Sequence, residues 1–284
     1  MLESETKHMN NVFTIDTEDW YHANFEEGLF ENNSDVISTV ERNVERYLEL
    51  FDKYSVKATF FVLGFVAEEH PHMIRKIADS GHEIASHGYA HQLVYHQTPE
   101  EFKEDVRKSK ILVEDITGIE CIGYRAPSWS VVENSLWALD ILEDLGFKYH
   151  SAIFPTKNFL YGIPYAPRYV HGADVYGKKN LNILSVPPGT YKVMGVNIPF
   201  SGGAYFRLLP TEVIKIFTDR INVKQGQPVV FYLHPREIDP DQPRLKLKWK
   251  DHFIHYYGIR GCERKLECVL KRYKFVTMKE MLHL

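Results

Sequence analysis

The segment SHGYAH holds two histidines four residues apart, His87 and His91, and TIDTEDW gathers three acids, Asp16, Glu18 and Asp19. Further along stand Arg125 in YRAPSW and His234 in FYLHPRE. Two imidazoles face the same way if the intervening loop coils into a helical turn. With one carboxylate they make a three-ligand set that leaves room for water and substrate, as a catalytic metal requires. A divalent cation brings the pKa of its bound water down to roughly 7 and polarises a carbonyl oxygen. A spare carboxylate then serves as base, and a separate histidine as the acid for a leaving group. Singly, each residue has a plain structural explanation: the chain has 14 His, strand-end acids are commonly solvated, and a lone Arg is commonly an ion-pair partner. Their joint placement, each after a separate predicted strand, is what points to a site.

Short apolar runs alternate with amphipathic stretches over most of the chain. Strands are expected at Val12–Ile15, Ala58–Leu63, Glu83–Ser86, Ile122–Arg125, Tyr149–Phe154 and Pro228–Leu233. Helical spacing marks Val36–Tyr54, Val66–Ser80, Asn134–Leu145, Thr211–Asn222 and Cys262–Tyr273. Thr98-Pro99-Glu100-Glu101 reads as an N-cap, a proline at the first helical position and an acidic first turn, opening a helix that Gly118 ends. From Pro155 to Pro210 the text turns rich in Gly, Pro and Tyr, with strand-like pieces at Leu181–Val186 and Gly195–Phe200, and reads as an elaborated loop and hairpin region. Alternating strand and helix imply parallel strands and right-handed crossovers, with chemistry at the C-terminal strand ends. The expected fold is α/β: a distorted, incomplete (β/α)7-type barrel of parallel strands, as a single domain over residues 11–284 behind a weakly ordered stretch at 1–10.

Composition narrows the function. A formal charge of -4 with no basic stripe argues against nucleic acid. No stretch reaches the ~18 apolar residues that span a bilayer. The polar start MLESETKHMNN has no apolar h-region, so the expected compartment is the cytoplasm. Three cysteines, Cys121, Cys262 and Cys268, without a CxxC pair, suggest unpaired buried thiols rather than a disulfide framework or thiolate zinc site. Oligomeric state is not written in the sequence.

On these motifs the chain resembles the polysaccharide deacetylases of carbohydrate esterase family 4, with their nodulation-protein-like deacetylase fold, over about residues 11–282. TIDTED resembles the family's TFDD. His87-Gly88-Tyr89-Ala90-His91 resembles its HSxxH, Arg125-Ala126-Pro127-Ser128 its RxPY, and Leu233-His234-Pro235 its Leu-x-His. The segments YHSAIFP, YGIPYAPR and HPREIDPDQPR are similar to a subgroup associated with exopolysaccharide biosynthesis. The resemblance implies removal of acetyl groups, chiefly N-acetyl, from a sugar or polysaccharide. It implies Asp16 as general base, His87 and His91 as metal ligands, His234 as general acid and Arg125 as the residue holding Asp16. Backbone N–H groups at Ser128 or Trp129 would stabilise the oxyanion, and Trp129, Ser128 and Tyr165 would meet the sugar. Zinc is the first choice of metal, with Co2+, Ni2+ or Fe2+ also suited to the donors.

Three departures qualify the match. The acids are spread out: if the strand runs on past Asp16, Glu18 shares its face, and if it stops there, Asp19 turns in. Asp19 is preferred, with Glu18 the alternative. Ser128 replaces the RxPY tyrosine, and His150 stands where relatives often have an Asp, so Glu237 and Asp239 are candidates for the carboxylate supporting His234, against their plain reading as solvated loop charges. Rival readings are hydrolysis of a cyclic imide or allantoin-type amide, a non-haem iron oxygenase, or an inactive sugar-binding module. The additional Asp, Arg and His favour hydrolysis, and Tyr161, Tyr165, Tyr169 and Tyr176 favour a sugar.

Overall fold

A computed structural model describes residues 9–22, 37–156, 158 and 161–284 of the chain. Residues 1–8 of the expected weakly ordered N-terminus, and Val36 of the first expected helix, lie outside them. The chain opens with β1 (Asn10–Thr17), α1 (Val40–Lys53), β2 (Thr59–Val62), α2 (Gly64–Glu69), α3 (Pro71–Asp79) and β3 (Glu83–Ser86). There follow α4 (Pro99–Thr117), β4 (Gly123–Tyr124), α5 (Ala138–Asp144) and β5 (Tyr149–His150). The Gly/Pro/Tyr-rich region supplies β6 (His171–Gly172), β7 (Leu184–Ser185), the hairpin β8 (Thr190–Val193) and β9 (Val196–Pro199), and α6 (Gly203–Leu208). The chain closes with α7 (Thr211–Asp219), β10 (Val230–Leu233), α8 (Trp249–Tyr256), α9 (Ile259–Arg272), β11 (Lys274–Val276) and α10 (Met278–Leu282).

One curled sheet runs in the order β10-β1-β2-β3-β4-β5-β7-β6, with β11 also pairing with β1. Its pairs are parallel except β6 with β7. The path ends at β10 and β6 without joining them, which is the incomplete barrel expected from the sequence. Register brings the strand ends level: Thr17 lies opposite Val62, Val62 opposite Ser86, Ser86 opposite Tyr124, and Tyr124 opposite His150. On the other side Ile15 lies opposite Leu233. His87, Arg125, Ser151 and His234 are thus each one step beyond a strand end, and Asp16 one step before the end of β1, on one rim.

All of β1 after Asn10 is buried, as for a parallel strand covered on both faces. Phe13 stacks on Phe231 at 6.0 Å and meets Phe51 and Phe275 edge-on at 5.6 Å each. α1 buries Val40, Val44, Tyr47, Leu48 and Phe51, the spacing that marked it in the sequence. The expected capping box of α4 is formed by Thr98 and Glu101, and Gly118 ends the helix in the left-handed conformation.

The expected single helix Val66–Ser80 is instead two, broken at His70, because a residue before proline is pushed out of the α region. α8 and α10 were not anticipated; the first lies in a segment whose apolar residues are largely exposed, so it shows little inward-facing periodicity. Cys121 and Cys262 are buried thiols as expected, whereas Cys268 is exposed; none is bonded to another. No described helix is long and apolar enough to cross a membrane.

Candidate metal centre

β1 continues through Thr17, so the two-residue alternation carries Asp16 and Glu18 to the same side. A tight turn follows, with Glu18 N–H donating to the Asp16 carbonyl at 2.9 Å. Glu18, His87 and His91 then bring one carboxylate oxygen and two ring nitrogens within 4.8 Å of one another. His91 Nε2 lies 2.8 Å from Glu18 Oε2. His87 Nδ1 donates to the Arg125 carbonyl at 2.9 Å, which leaves Nε2 as the ring's free lone pair. A buried carboxylate with two imidazoles, one fixed in its tautomer, is a donor set that fits a divalent cation.

Asp19, the preferred ligand from the sequence, is directed elsewhere. Its carboxylate accepts from Thr39 N–H at 3.1 and 3.2 Å and from Trp20 N–H at 2.9 Å. Thr39 is the N-cap of α1, whose positive dipole end attracts the carboxylate. The strand outlasts Asp16, so the alternative, Glu18, faces the histidines.

The loop from His87 to His91 is not the helical turn anticipated. His91 has φ 56°, a left-handed conformation costly for a side-chain-bearing residue. Asp105 on α4 holds the loop, accepting from Tyr89 N–H at 2.8 Å and Ala90 N–H at 3.0 Å. Gly88 is needed there: its φ is +77°, and a Cβ would stand 2.8 Å from the Asp105 carboxylate.

Arg125 is wholly buried, and its Nη1 donates to Asp16 Oδ1 at 2.5 Å and to Thr14 Oγ1 at 2.8 Å. Nη2 reaches Ser151 Oγ at 3.2 Å, and the guanidinium lies 4.0 Å from the Phe61 ring centre. Opposite, His234 Nε2 is 3.8 Å from Asp16 Oδ2 and 3.7 Å from Glu18 Oε1. His234 Nδ1 faces Glu237 Oε2 at 3.3 Å, and the other oxygen of Glu237 takes Arg207 Nε at 2.9 Å. Glu237 is therefore the carboxylate behind His234. Asp239, its rival, instead binds Arg42 at 2.6 Å and Asn43 at 3.1 Å. His150 is buried and accepts from Ala152 N–H at 3.3 Å, away from His234.

The electrostatics divide the histidines. Burial pushes His87 down to about 4, which keeps its ring neutral, as a ligand must be. Burial acts the same way on His234, but Glu18, Glu237 and Asp16 outweigh it and raise that imidazole above its ordinary value. Burial disfavours a charged Glu237, yet His234, Arg207 and Arg236 bring it down to about 2. Glu18 is likewise held well below the usual carboxylate range by His91, His234 and His87, against the cost of burial.

Asp16, Glu18, His87, His91 and His234 line one cavity of ≈ 410 Å³, which also takes in Trp129, Tyr161, Tyr205, Tyr232, Arg207 and Arg236. That is within the roughly 300–1,000 Å³ of small-ligand sites. Ser128 and Trp129 line it through consecutive left-handed residues, φ 50° and 49°. Trp129 packs edge-on to Tyr232 at 4.4 Å and stacks on Phe154 at 5.2 Å, so the wall is an aromatic box. The Trp129 N–H, one of two groups expected at an oxyanion, already donates to the Ala126 carbonyl at 3.0 Å. Tyr165 is 60% exposed and stands outside the cavity; Tyr161 takes the place foreseen for it. Arg207, Arg236, Tyr205 and Tyr232 were missed. The one signal was Arg207 between Phe206 and Leu208, a charge inside an apolar run.

A buried two-histidine, one-carboxylate cluster that could hold a metal, on the rim of a parallel, incomplete barrel, marks an α/β protein with a candidate metal site. Residues 24–150 match the family model described as polysaccharide deacetylase, and residues 151–283 match one described as a domain of unknown function (DUF3473). The acidic motif precedes the first match and His234 lies in the second, yet both reach one cavity. The chain is 33% identical over 138 residues to the peptidoglycan deacetylase of Helicobacter pylori, which is 49% of this chain and 44% of that protein. It therefore spans less than half the length of that curated relative. Among solved structures it resembles a probable polysaccharide deacetylase from Pseudomonas aeruginosa, with TM-score 0.62 and 16% identity over 96% of this chain and 89% of that one. It also resembles Puue allantoinase, with TM-score 0.60 and 16% identity over 96% and 88%. Identities this low speak to the fold alone, which is that of the solved deacetylases.

Proposed function

We propose that this protein is a metal-dependent hydrolase that removes acetyl groups, chiefly N-acetyl, from a sugar or polysaccharide. The observation that carries the reading is the shared cavity of Glu18, His87 and His91 with an Arg-held Asp16 and a carboxylate-backed His234. The relatives named as deacetylases support it.

Glu18, His87 and His91 would hold a divalent cation, zinc being the first to test. Such a cation supplies Lewis acidity toward water and toward the acetyl carbonyl. Asp16 is fixed through Oδ1 by Arg125, so Oδ2, on the His234 side, is the atom left to take a proton from the attacking water. His234, raised above its ordinary value by Glu18 and Glu237 against the cost of burial, gives a proton through Nε2 to the departing sugar nitrogen. Trp129, Tyr232 and Tyr161 form an apolar wall that excludes bulk water, and their faces suit a sugar ring. The likeness of YHSAIFP and HPREIDPDQPR to deacetylases of exopolysaccharide biosynthesis makes such a polymer the first substrate to try.

The test is acetate release from N-acetylglucosamine oligomers and acetylated exopolysaccharide, with and without a chelator. The reading expects release that chelation abolishes and added metal restores. Release of an allantoin or cyclic-imide product instead, or no release from any acetylated sugar, would refute it.

A further inference from the structure

Each carboxylate lining or backing the cavity already has a cationic or metal-binding partner. Asp16 binds Arg125 at 2.5 Å. Glu237 spends one oxygen on Arg207 at 2.9 Å and the other on His234 at 3.3 Å. Glu18 stands with the two ligand histidines. Among the described residues lining the cavity, one cation is left over. Arg236, on the turn Pro235–Ile238 after β10, lines the cavity and is only 9% exposed. Among the described residues no carboxylate lies within salt-bridge distance of it, and its Nε is buried without a hydrogen-bond partner. Its side-chain hydrogen bond is a long one, from Nη1 to the His255 carbonyl at 3.4 Å. Arg207 is different: besides Glu237, it donates to the Tyr257 carbonyl and, at 2.6 Å, to the Ile254 carbonyl, so its guanidinium is bound into the wall.

A buried, unpaired guanidinium is costly, and proteins rarely keep one without a partner. Burial acts against its charge and outweighs the support of Glu237 and Glu18 at longer range, while the neighbouring Arg207 adds to the cost. A cation held by Glu18 would offset that carboxylate's charge, and Glu237 is already shared between Arg207 and His234, so this side of the cavity would be more positive still.

We propose that Arg236 receives an anionic group of the substrate, so that the sugar deacetylated here carries a carboxylate or a phosphate. The inference rests on the deacetylase reading and deepens it. Arg236 follows His234 by two residues on the same turn, so the anion falls on the leaving-group side and belongs to the sugar, not to the acetyl group. A guanidinium's planar fork suits both oxyanions.

Zinc-loaded protein is titrated calorimetrically with glucose, glucuronate and glucose 6-phosphate, as wild type, R236Q and R236K. At least one anionic sugar is expected to bind roughly 10- to 100-fold more tightly than glucose, the worth of a hydrogen bond to a charged group. Which of the two gains more identifies the source of the oxyanion. R236Q should lose that margin, and R236K should keep part of it. An anion held by the metal alone would bind R236Q and wild type alike, and that result overturns the proposal, as does equal affinity for glucose and both anions. An unchanged or higher melting temperature in R236Q confirms that its loss of binding is not a loss of fold. Acetate release from neutral N-acetylglucosamine oligomers is measured beside the titration. Turnover without anion preference refutes only the role of Arg236. Anion binding through Arg236 without acetate release from any acetylated sugar refutes the deacetylase reading.

Discussion

Replacing Glu237 by Gln removes one negative charge and little volume, and it tests what keeps His234 an acid. Unit charges 3.3 Å apart interact by about 5 kcal/mol at an effective dielectric of 20. Arg207, on the other carboxylate oxygen at 2.9 Å, cancels part of the field that reaches the imidazole. An opposite charge at such distances typically moves a titration by about 1–3 pH units, and with Arg207 opposing it the lower half of that range is expected. The sign follows from the role: Glu237 raises His234, the acid must be protonated, and so E237Q moves the alkaline limb of kcat/KM to lower pH by about 1–2 units. The same change strands Arg207, which is nearly fully buried, and losing one partner of a buried pair costs about 3–5 kcal/mol. The double variant R207Q/E237Q separates the effects, since a neutral pair should recover most of the stability while the limb stays displaced. The assay is a pH–rate profile of acetate release beside thermal unfolding. An alkaline limb unmoved in a folded E237Q would show that Glu237 does not govern the acid, and the assignment of His234 would fall with it.

E18Q and H87A should each lose stoichiometric metal by elemental analysis; a variant still holding one equivalent would remove that residue from the ligand set. D19A should keep its metal and lose about 1–3 kcal/mol in denaturant unfolding, the worth of buried hydrogen bonds to a charged group at the start of α1. Metal lost from D19A but kept in E18Q would restore the ligand first expected from the sequence. D16N should retain metal while acetate release falls by roughly 10²–10⁴-fold; near wild-type turnover would end its role as base. R125M should lose about 3–5 kcal/mol of stability, because a buried Asp16 is left unpaired, and a melting temperature equal to wild type would contradict the burial described here.

Much of the fold was legible because its signals are local. The apolar runs that became β2, β3 and β10 are short and bounded by turns, and Thr98 to Glu101 spells out a helix start. His87, His234 and Arg125 were legible for the same reason, since each directly follows a strand, and His91 is marked by its four-residue spacing from His87. The carboxylate was not. Choosing Glu18 over Asp19 depends on whether β1 ends at Asp16 or one residue later, and a strand's last residue is decided by its neighbours, here β2 pairing out to Thr17. The split at Pro71 was readable from the proline alone.

The side of the cavity built by the second half of the chain was hidden for a different reason. Gly202 pairs with Tyr232, and a Cβ there would come 2.1 Å from the Tyr232 carbonyl, so only glycine lets α6 start against β10. That contact brings Arg207 to Glu237 across 30 positions of sequence, and Glu237 to His234 in turn. Arg236 is the residue this arrangement leaves unpaired: α6 supplies Arg207, which takes the one carboxylate on its own turn. The sequence HPRE displays an arginine beside a glutamate and invites the reading of a local ion pair. In the fold the direct contacts of Glu237 go to Arg207 and His234, and Arg236 acts on it only at longer range. A segment with no part in charge recognition would be more stable with an apolar residue at position 236, and that is the physical ground for the anionic substrate proposed above.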